Sequence, residues 1–359
     1  MEKVGILTYH SSDNYGSVLQ AYALCKYISN FCDAQIVDYR KYEVKNLYKI
    51  FQPMNTKFNI ITNIYSALYY NRLNKRKKAY EKFRQDFLNL SKPEINKKKD
   101  LNNYVNKYDA LICGSDQVWN FDILDFDTSF LLDFPEFSGK KFAYAASMGP
   151  KKKKPEQVAK YKGLFENFDN ISVREEPAGE VLEKVLEVPF DTVIDPVFLL
   201  SKEEWIELIE KTNVQSSKED YVFCYFPGGV SKSLEQFSIE LAKKTNCKRV
   251  LIVPEWRNIF RPGEKMYDCS PLEFISMIKN AKAVCTNSFH GTAFSIIMDT
   301  PFYVETTSGT SDSRISRLLS VMNNKDIAIN PDVCNVQNSG KNLQEIIEFS
   351  KGKIKDWII

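Results

Sequence analysis

Histidine is scarce in this chain: among 359 residues there are two, His10 and His290. Eight cysteines are present, but Cys25, Cys32, Cys113, Cys224, Cys247, Cys269, Cys285 and Cys334 stand singly, with no CxxC pair among them. Zinc frameworks need such pairs or clustered histidines, so no structural metal is expected, and the cysteines read as small buried hydrophobes in a reducing compartment. Long apolar runs are also missing. Even the most apolar region, residues 60–70, is interrupted by Thr62, Asn63 and Ser66, and a membrane-spanning helix needs roughly 18 uninterrupted apolar residues. The first ten residues lack the basic region, apolar core and small-residue cleavage site of a secretory signal. A cytoplasmic protein is therefore expected, reaching at most the inner face of the cell membrane. Net charge is small, +3, which argues against a nucleic-acid-coating surface.

Hydrophobic residues make up 43% of the chain and charged ones 26%, the balance of a folded protein long enough for two domains. Short β-branched apolar runs at 3–8, 34–38, 109–113, 141–146, 170–174 and 192–195 alternate with helical patterns. That alternation predicts a mostly parallel sheet covered by helices. A second series at 221–226, 249–254, 283–287 and 302–305 predicts another Rossmann-like unit. Between them, Ser201 followed by Glu204 has the form of a helix N-cap. The expected division is an N-terminal domain over 1–197, a C-terminal domain over 198–340, and a helix over 341–359 whose Trp357-Ile358-Ile359 end packs on the body. Two basic runs, 71–84 and 151–154, stand out. The first follows an aromatic, partly amphipathic stretch at 58–70 and reads either as a solvated helix face or as a contact for an anionic membrane.

Ligands of open α/β sheets gather beyond the carboxyl ends of the strands, where helix N-termini favour anions. Three such loops are unusual: His10-Ser11-Ser12-Asp13-Asn14-Tyr15-Gly16-Ser17, Gly114-Ser115-Asp116-Gln117-Val118-Trp119-Asn120 and Asn287-Ser288-Phe289-His290-Gly291. Both histidines fall in them. His290, before a glycine at a helix start, is the better candidate for proton transfer, since imidazole titrates near pH ~6.5; His10 reads equally as a structural group. Gly16, Gly114 and Gly291 allow close backbone approach to a ligand or simple turn geometry. Arg174, ending a strand, either grips a carboxylate or phosphate with its donor fork or pairs with a nearby acid. Asp116 is a candidate for a sugar hydroxyl or for a helix cap.

Taken in order, KVGILTYHSSDNYGSVLQAYAL, YDALICGSDQVWN, KKFAYAASMG, NISVREEPAGEVL, VIDPVFLL and AVCTNSFHGTAFSIIMDTPFYV resemble the polysaccharide pyruvyl transferase family over most of the chain. The resemblance implies an α/β fold of two facing Rossmann-like domains with a central cleft, similar to GT-B glycosyltransferases, with the active site in that cleft. It also implies phosphoenolpyruvate as co-substrate with no other cofactor. The acceptor it implies is a sugar of a surface polysaccharide or of its polyprenyl-diphosphate-linked precursor. By motif, Arg174 and His290 carry over as donor-binding and catalytic residues. Some relatives have Arg-Leu-His where this chain has Ser288-Phe289-His290, so another group must replace one arginine; Arg314 and Arg317 are candidates by position. His10, Asp13, Asn14, Gly16, Gly114, Ser115, Asp116, Gln117, Asn287, Ser288, Gly291 and Arg314 form the expected substrate-binding set. Two rival expectations stand beside this one. A nucleotide-sugar glycosyltransferase would share the loop around His290, although no glutamate lies between His290 and Pro301 to hold a ribose; a non-catalytic relative would keep the fold alone.

Overall fold

The computed structural model describes residues 1–41, 48–122, 126–149, 154–212, 219–253, 258–304, 312–322 and 341–359. Contact clustering divides the chain into two compact units. The first comprises Met1–Asn46, Arg84–Leu200 and Leu343–Ile359, and the second Leu47–Phe83 and Ser201–Asn342. A single cut near residue 197 therefore does not separate them: residues 47–83 leave the first unit and join the second. Of the basic run at 151–154, only Lys154 falls within the described residues.

The first unit is built on a six-stranded parallel sheet: β1 (Lys3–Leu7), β2 (Asp33–Ile36), β3 (Ala110–Cys113), β4 (Lys140–Ala146), β5 (Asn170–Val173) and β6 (Asp191–Thr192), in the order β2-β1-β3-β4-β5-β6. Its central strands are buried along nearly their whole length, which explains why they read as continuous apolar runs rather than as alternating ones. One irregularity matters for the site. The β4–β5 register shifts between Ala143 and Ala146, and Ala145 takes φ +50°. The buried Ser172 hydroxyl fills the gap, donating to Ala143 O at 3.0 Å and accepting from Ala145 N at 3.1 Å. The lysine run at 97–99 opens the helix Lys98–Tyr104, where Lys98 pairs with Asp133.

The second unit carries a five-stranded parallel sheet: β7 (Tyr221–Tyr225), β8 (Lys248–Ile252), β9 (Glu264–Met266), β10 (Ala283–Thr286) and β11 (Phe302–Val304), in the order β11-β10-β7-β8-β9. β9 has no counterpart among the expected strands, because it is a half-exposed edge of three residues with no apolar run. The inserted helices Lys57–Leu68 and Tyr70–Phe87 add Tyr65 and Leu73 to the apolar core of this sheet, beside Val222, Leu251 and Tyr267. The final helix, Lys341–Ile358, returns to the first unit, where Trp357 stacks on Phe142 at 5.4 Å and the Met1 amino group donates to Ile358 O at 2.9 Å.

Ser201 caps the helix Lys202–Glu210 in a full capping box with Glu204, as its sequence foretold. The same motif recurs at Ser270 and Glu273 ahead of helix Pro271–Lys279.

Candidate functional site

In each sheet the strand order reverses once: between β1 and β3 in the first, and between β7 and β10 in the second. At such a point the crossovers leave in opposite directions and open a crevice at the strands' carboxyl ends. The residues expected from sequence gather at these two places.

At the first, the helix Tyr15–Ile28 follows β1, with Asn14 as its N-cap accepting from Ser17 N at 3.3 Å. Asn14 thus spends its carbonyl oxygen on the helix, and Gly16 lies buried in the first turn. Ser17 donates its hydroxyl to the Asp116 carboxylate across the reversal. Asp116 is not a helix cap: it sits at φ +78°, bridges to Ala146 and accepts from Gln117 N at 2.8 Å, and the next helical turn, Thr128–Leu131, is capped by Asp127. A non-glycine residue held in that conformation costs on the order of 1–3 kcal/mol, a strain typical of working sites. Gln117 accepts from Asn120 Nδ2 at 2.8 Å, and the Ser115 hydroxyl is fully buried with no hydrogen-bond partner among the described residues.

Three expected ligand residues turn out to be framework. His10 is 1% exposed, with Nε2 at 2.9 Å from Asp38 Oδ1 and Nδ1 at 3.1 Å from Thr8 O, so both ring nitrogens are engaged inside the protein. Asp13 pairs with Arg84 at 3.0 Å, and the same guanidinium reaches the carbonyls of Ser11 and Ser12. Arg84, the last member of the basic run read from sequence either as a solvated helix face or as a membrane contact, is 4% exposed and holds this loop in place. Gly114 makes room for packing: a Cβ there would lie 3.0 Å from Thr8 Cβ and 3.1 Å from Leu24 Cδ2.

Arg174 follows β5 and is buried, its Nε at 3.3 Å from Glu175 and its Nη1 against Asp195. Burial works against its charge, but Asp195, Glu175 and Asp116 outweigh that, and its pKa is raised. Glu175 in turn accepts from Ser147, and Asp195 caps the turn Pro196–Leu199 by accepting from Val197 N at 3.1 Å. The ion-pair arrangement weighed in the sequence is therefore the one present. None of Ser17, Ser147, Glu175, Asp195 or Asp38 was expected in a functional role, although Asp38 and Asp195 each end a run read as a strand.

At the second reversal, Thr286 ends β10, donating to Tyr225 O at 2.7 Å and accepting from Ser288 N at 3.0 Å. Asn287 donates to Gly229 O at 2.6 Å. Gly228 and Gly229 take φ +75° and +113°, and a Cβ on either would meet nothing within 4 Å, so this turn presents bare backbone to open space. The turn was missed in the sequence, although Pro227-Gly228-Gly229 between a strand and the N-cap Ser231 is a readable signal. Ser288 is the N-cap of the helix Phe289–Ile297, its hydroxyl accepting from Gly291 N at 3.3 Å. Gly291 is required by packing, since a Cβ would fall 2.5 Å from Thr286 Oγ1. His290 lies in the first turn of that helix, 8% exposed, with its ring edge-on to Phe289 at 5.1 Å. The Arg314 guanidinium stands 5.9 Å from the centre of the same Phe289 ring.

Among the described residues, no three of His, Cys, Asp or Glu come together as a metal-holding group, and no helix is long and apolar enough to cross a membrane.

The solved structures this chain is similar to include a UDP-GlcNAc 2-epimerase from Methanocaldococcus jannaschii in complex with UDP-GlcNAc and UDP (12% identity, TM-score 0.52, covering 100% of this chain and 99% of that one). They also include S. aureus MnaA with UDP (12%, TM-score 0.50, covering 99% and 89%) and a UDP-GlcNAc 2-epimerase from Neisseria meningitidis bound to UDP-GlcNAc (12%, TM-score 0.50, covering 98% and 100%). At this identity the likeness shows the fold, which is GT-B-like, as the sequence implied. No curated protein matches the chain significantly. The chain belongs to the polysaccharide pyruvyl transferase family, whose sequence profile matches residues 14–309.

Removing Arg174 leaves Glu175 and Asp195 buried without their cation, so Arg174→Ala is expected to cost about 3–5 kcal/mol in a urea unfolding titration. Asp38 contributes to the acid limb of stability. Its burial disfavours the carboxylate, but hydrogen bonds from His10 and Arg40 outweigh this and hold its pKa below the usual value. The unfolded chain then binds the extra proton first, so the contribution of Asp38 is fully present above about pH 4 and disappears as pH falls through the lower folded value. Thermal melts of Asp38→Asn should show a shallower loss of stability below pH 4 than the unmodified protein.

Proposed function

We propose that the protein transfers the pyruvyl group of phosphoenolpyruvate onto two hydroxyls of a glycan, forming a pyruvate ketal. The observation that carries this reading is the set of groups at the second reversal. Within a chain of this family, His290 shares the first turn of helix Phe289–Ile297 with the Ser288 cap, beside Arg314 and the bare Gly228–Gly229 turn. A helix N-terminus, a guanidinium and exposed backbone favour a small, multiply charged anion.

The reaction needs an acid and an anion holder. Protonation of the donor's methylene carbon makes the adjacent carbon cation-like, and a sugar oxygen bonds to it while losing its proton. The carbon–phosphate oxygen bond breaks, phosphate leaves, and a second sugar hydroxyl closes the ketal. One hydroxyl proton balances the methyl group and the other leaves with phosphate. His290 is the acid and base in this account, and Arg314 stands in for the arginine that relatives carry at the place of Ser288. Ser288 has its own reason to be serine, since an arginine there would cost the helix its cap. Arg174, already neutralised by Glu175 and Asp195, acts by positioning the first reversal rather than by gripping the donor. The carboxylates and hydroxyls there, Asp116 and Ser17 foremost, suit sugar hydroxyls. The acceptor is a sugar of a surface polysaccharide or of its lipid-linked precursor, and the site of action is the cytoplasm. The scheme needs no metal or further cofactor.

A nucleotide-sugar reading is favoured only by the nucleotides bound in the similar structures. The first acid after the His290 helix in the sequence, Asp299, is engaged with Lys202 at 2.6 Å.

A ligand that binds only the folded state raises its melting temperature. Phosphoenolpyruvate is expected to stabilise the purified protein, and UDP-GlcNAc is not. Arg314→Ala should weaken the phosphoenolpyruvate effect by roughly tenfold or more. His290→Ala should keep donor binding but lower turnover by about 10²–10⁴-fold. Stabilisation by UDP-GlcNAc alone would transfer the chain to the glycosyl-transfer reading.

A further inference from the structure

We propose that the helix Lys57–Leu68 docks the protein on an anionic lipid surface. The inference stands on this helix and its surroundings and is independent of the donor chemistry.

One face of the helix is turned inward. Tyr65 and Ser66 are buried, Tyr65 reaches Val253 O at 3.4 Å, and Tyr69 just beyond stacks on Tyr267 at 4.6 Å. The opposite face carries Ile60, Ile61, Ile64 and Leu68, spaced i, i+1, i+4 and i+8, and they are 45%, 44%, 58% and 75% exposed. Met54, just before the helix, is 77% exposed. Aliphatic side chains in a continuous row on a helix, left in water, mark a contact surface.

Charge identifies the occupant. From Tyr48 to Tyr80 there is no Asp or Glu, whereas Lys49, Lys57, Arg72, Lys75, Arg76, Lys77 and Lys78 give seven cations. Lys75 pairs with Asp268 at 2.8 Å and Arg72 lies over the Tyr267 ring, which ties the helix pair to its sheet; Lys57 and Lys78 stand exposed. An aliphatic row in a stretch that itself carries cations and no acid, with the neighbouring Asp268 taken up by Lys75, matches a lipid surface of negative headgroups over hydrocarbon. A second copy of this face would bring like charges together.

The test is flotation of the full chain with phosphatidylcholine vesicles and with vesicles containing phosphatidylglycerol, at low and high salt. Binding is expected only to the phosphatidylglycerol vesicles, weakened by salt and reduced more than tenfold by Ile64→Glu with Leu68→Glu. Both sites are exposed, so melting should be unchanged; Lys77→Glu with Lys78→Glu is a second variant that leaves the aliphatic row intact and should also release the protein. Absence of binding to either vesicle overturns the proposal, as does binding that neither variant alters. Self-association abolished by the Ile64 and Leu68 changes would assign the face to a second copy instead. Stabilisation by phosphoenolpyruvate should be the same in all these variants, so failure here leaves the reaction untouched.

Discussion

A parallel sheet whose strand order reverses has one place where its connecting loops part, and a ligand site there follows from the handedness of the crossovers before any side chain is chosen. Both sheets of this protein obey that constraint. At the β1–β3 reversal the gap is crossed by Ser17 and Asp116; at the β7–β10 reversal it is crossed by Asn287 and the Gly229 carbonyl. The two places differ in chemistry. The first is rich in carboxylates and hydroxyls, and the second offers a helix start, an imidazole, a guanidinium and bare glycine backbone.

Holding loops open at a reversal requires a rigid surround, and in the first unit that task falls to buried charge. Arg84 fixes residues 11–13, Asp38 joins His10 to Arg40, and Arg174 joins Glu175 to Asp195. Such pairs are poor sources of net stability because desolvation consumes most of their attraction, yet each is costly to break from one side. They are therefore better understood as devices that allow one loop geometry and penalise others. The strained Asp116 and Ala145 backbones persist within that framework.

Much of the fold was legible because buried parallel strands leave apolar β-branched runs and because Ser201 and Glu204 write a capping box. What escaped has physical causes. β9 is an edge of Glu264, Lys265 and Met266, with nothing apolar enough to mark it. The allegiance of residues 47–83 depends on contacts such as Tyr65 with Val253, nearly two hundred residues apart, which no local pattern encodes. The bend at Ala145 and the turn at Asp116 use residues other than glycine, so composition gave no hint of them. Within the site, the helix start at His290 could be read from the glycine that follows it, whereas the Ser288 cap emerged only in the structure. The structural fate of His10, Asp13 and Gly114 could not be read, because their partners Asp38, Arg84 and Thr8 come from other loops and helices. Gly228 and Gly229, after Pro227, carry a turn signal that is legible in the sequence itself.

The account stands on the chemistry at the His290 helix. Its most direct test is to incubate the protein with phosphoenolpyruvate, a nucleotide sugar and the glycans extracted from the organism that makes it, and to follow glycan mass and free phosphate together. The account predicts that a glycan gains one pyruvate less water for each phosphate released, and that the nucleotide sugar is left intact. A glycan that gains a sugar unit while phosphoenolpyruvate is not consumed would contradict it.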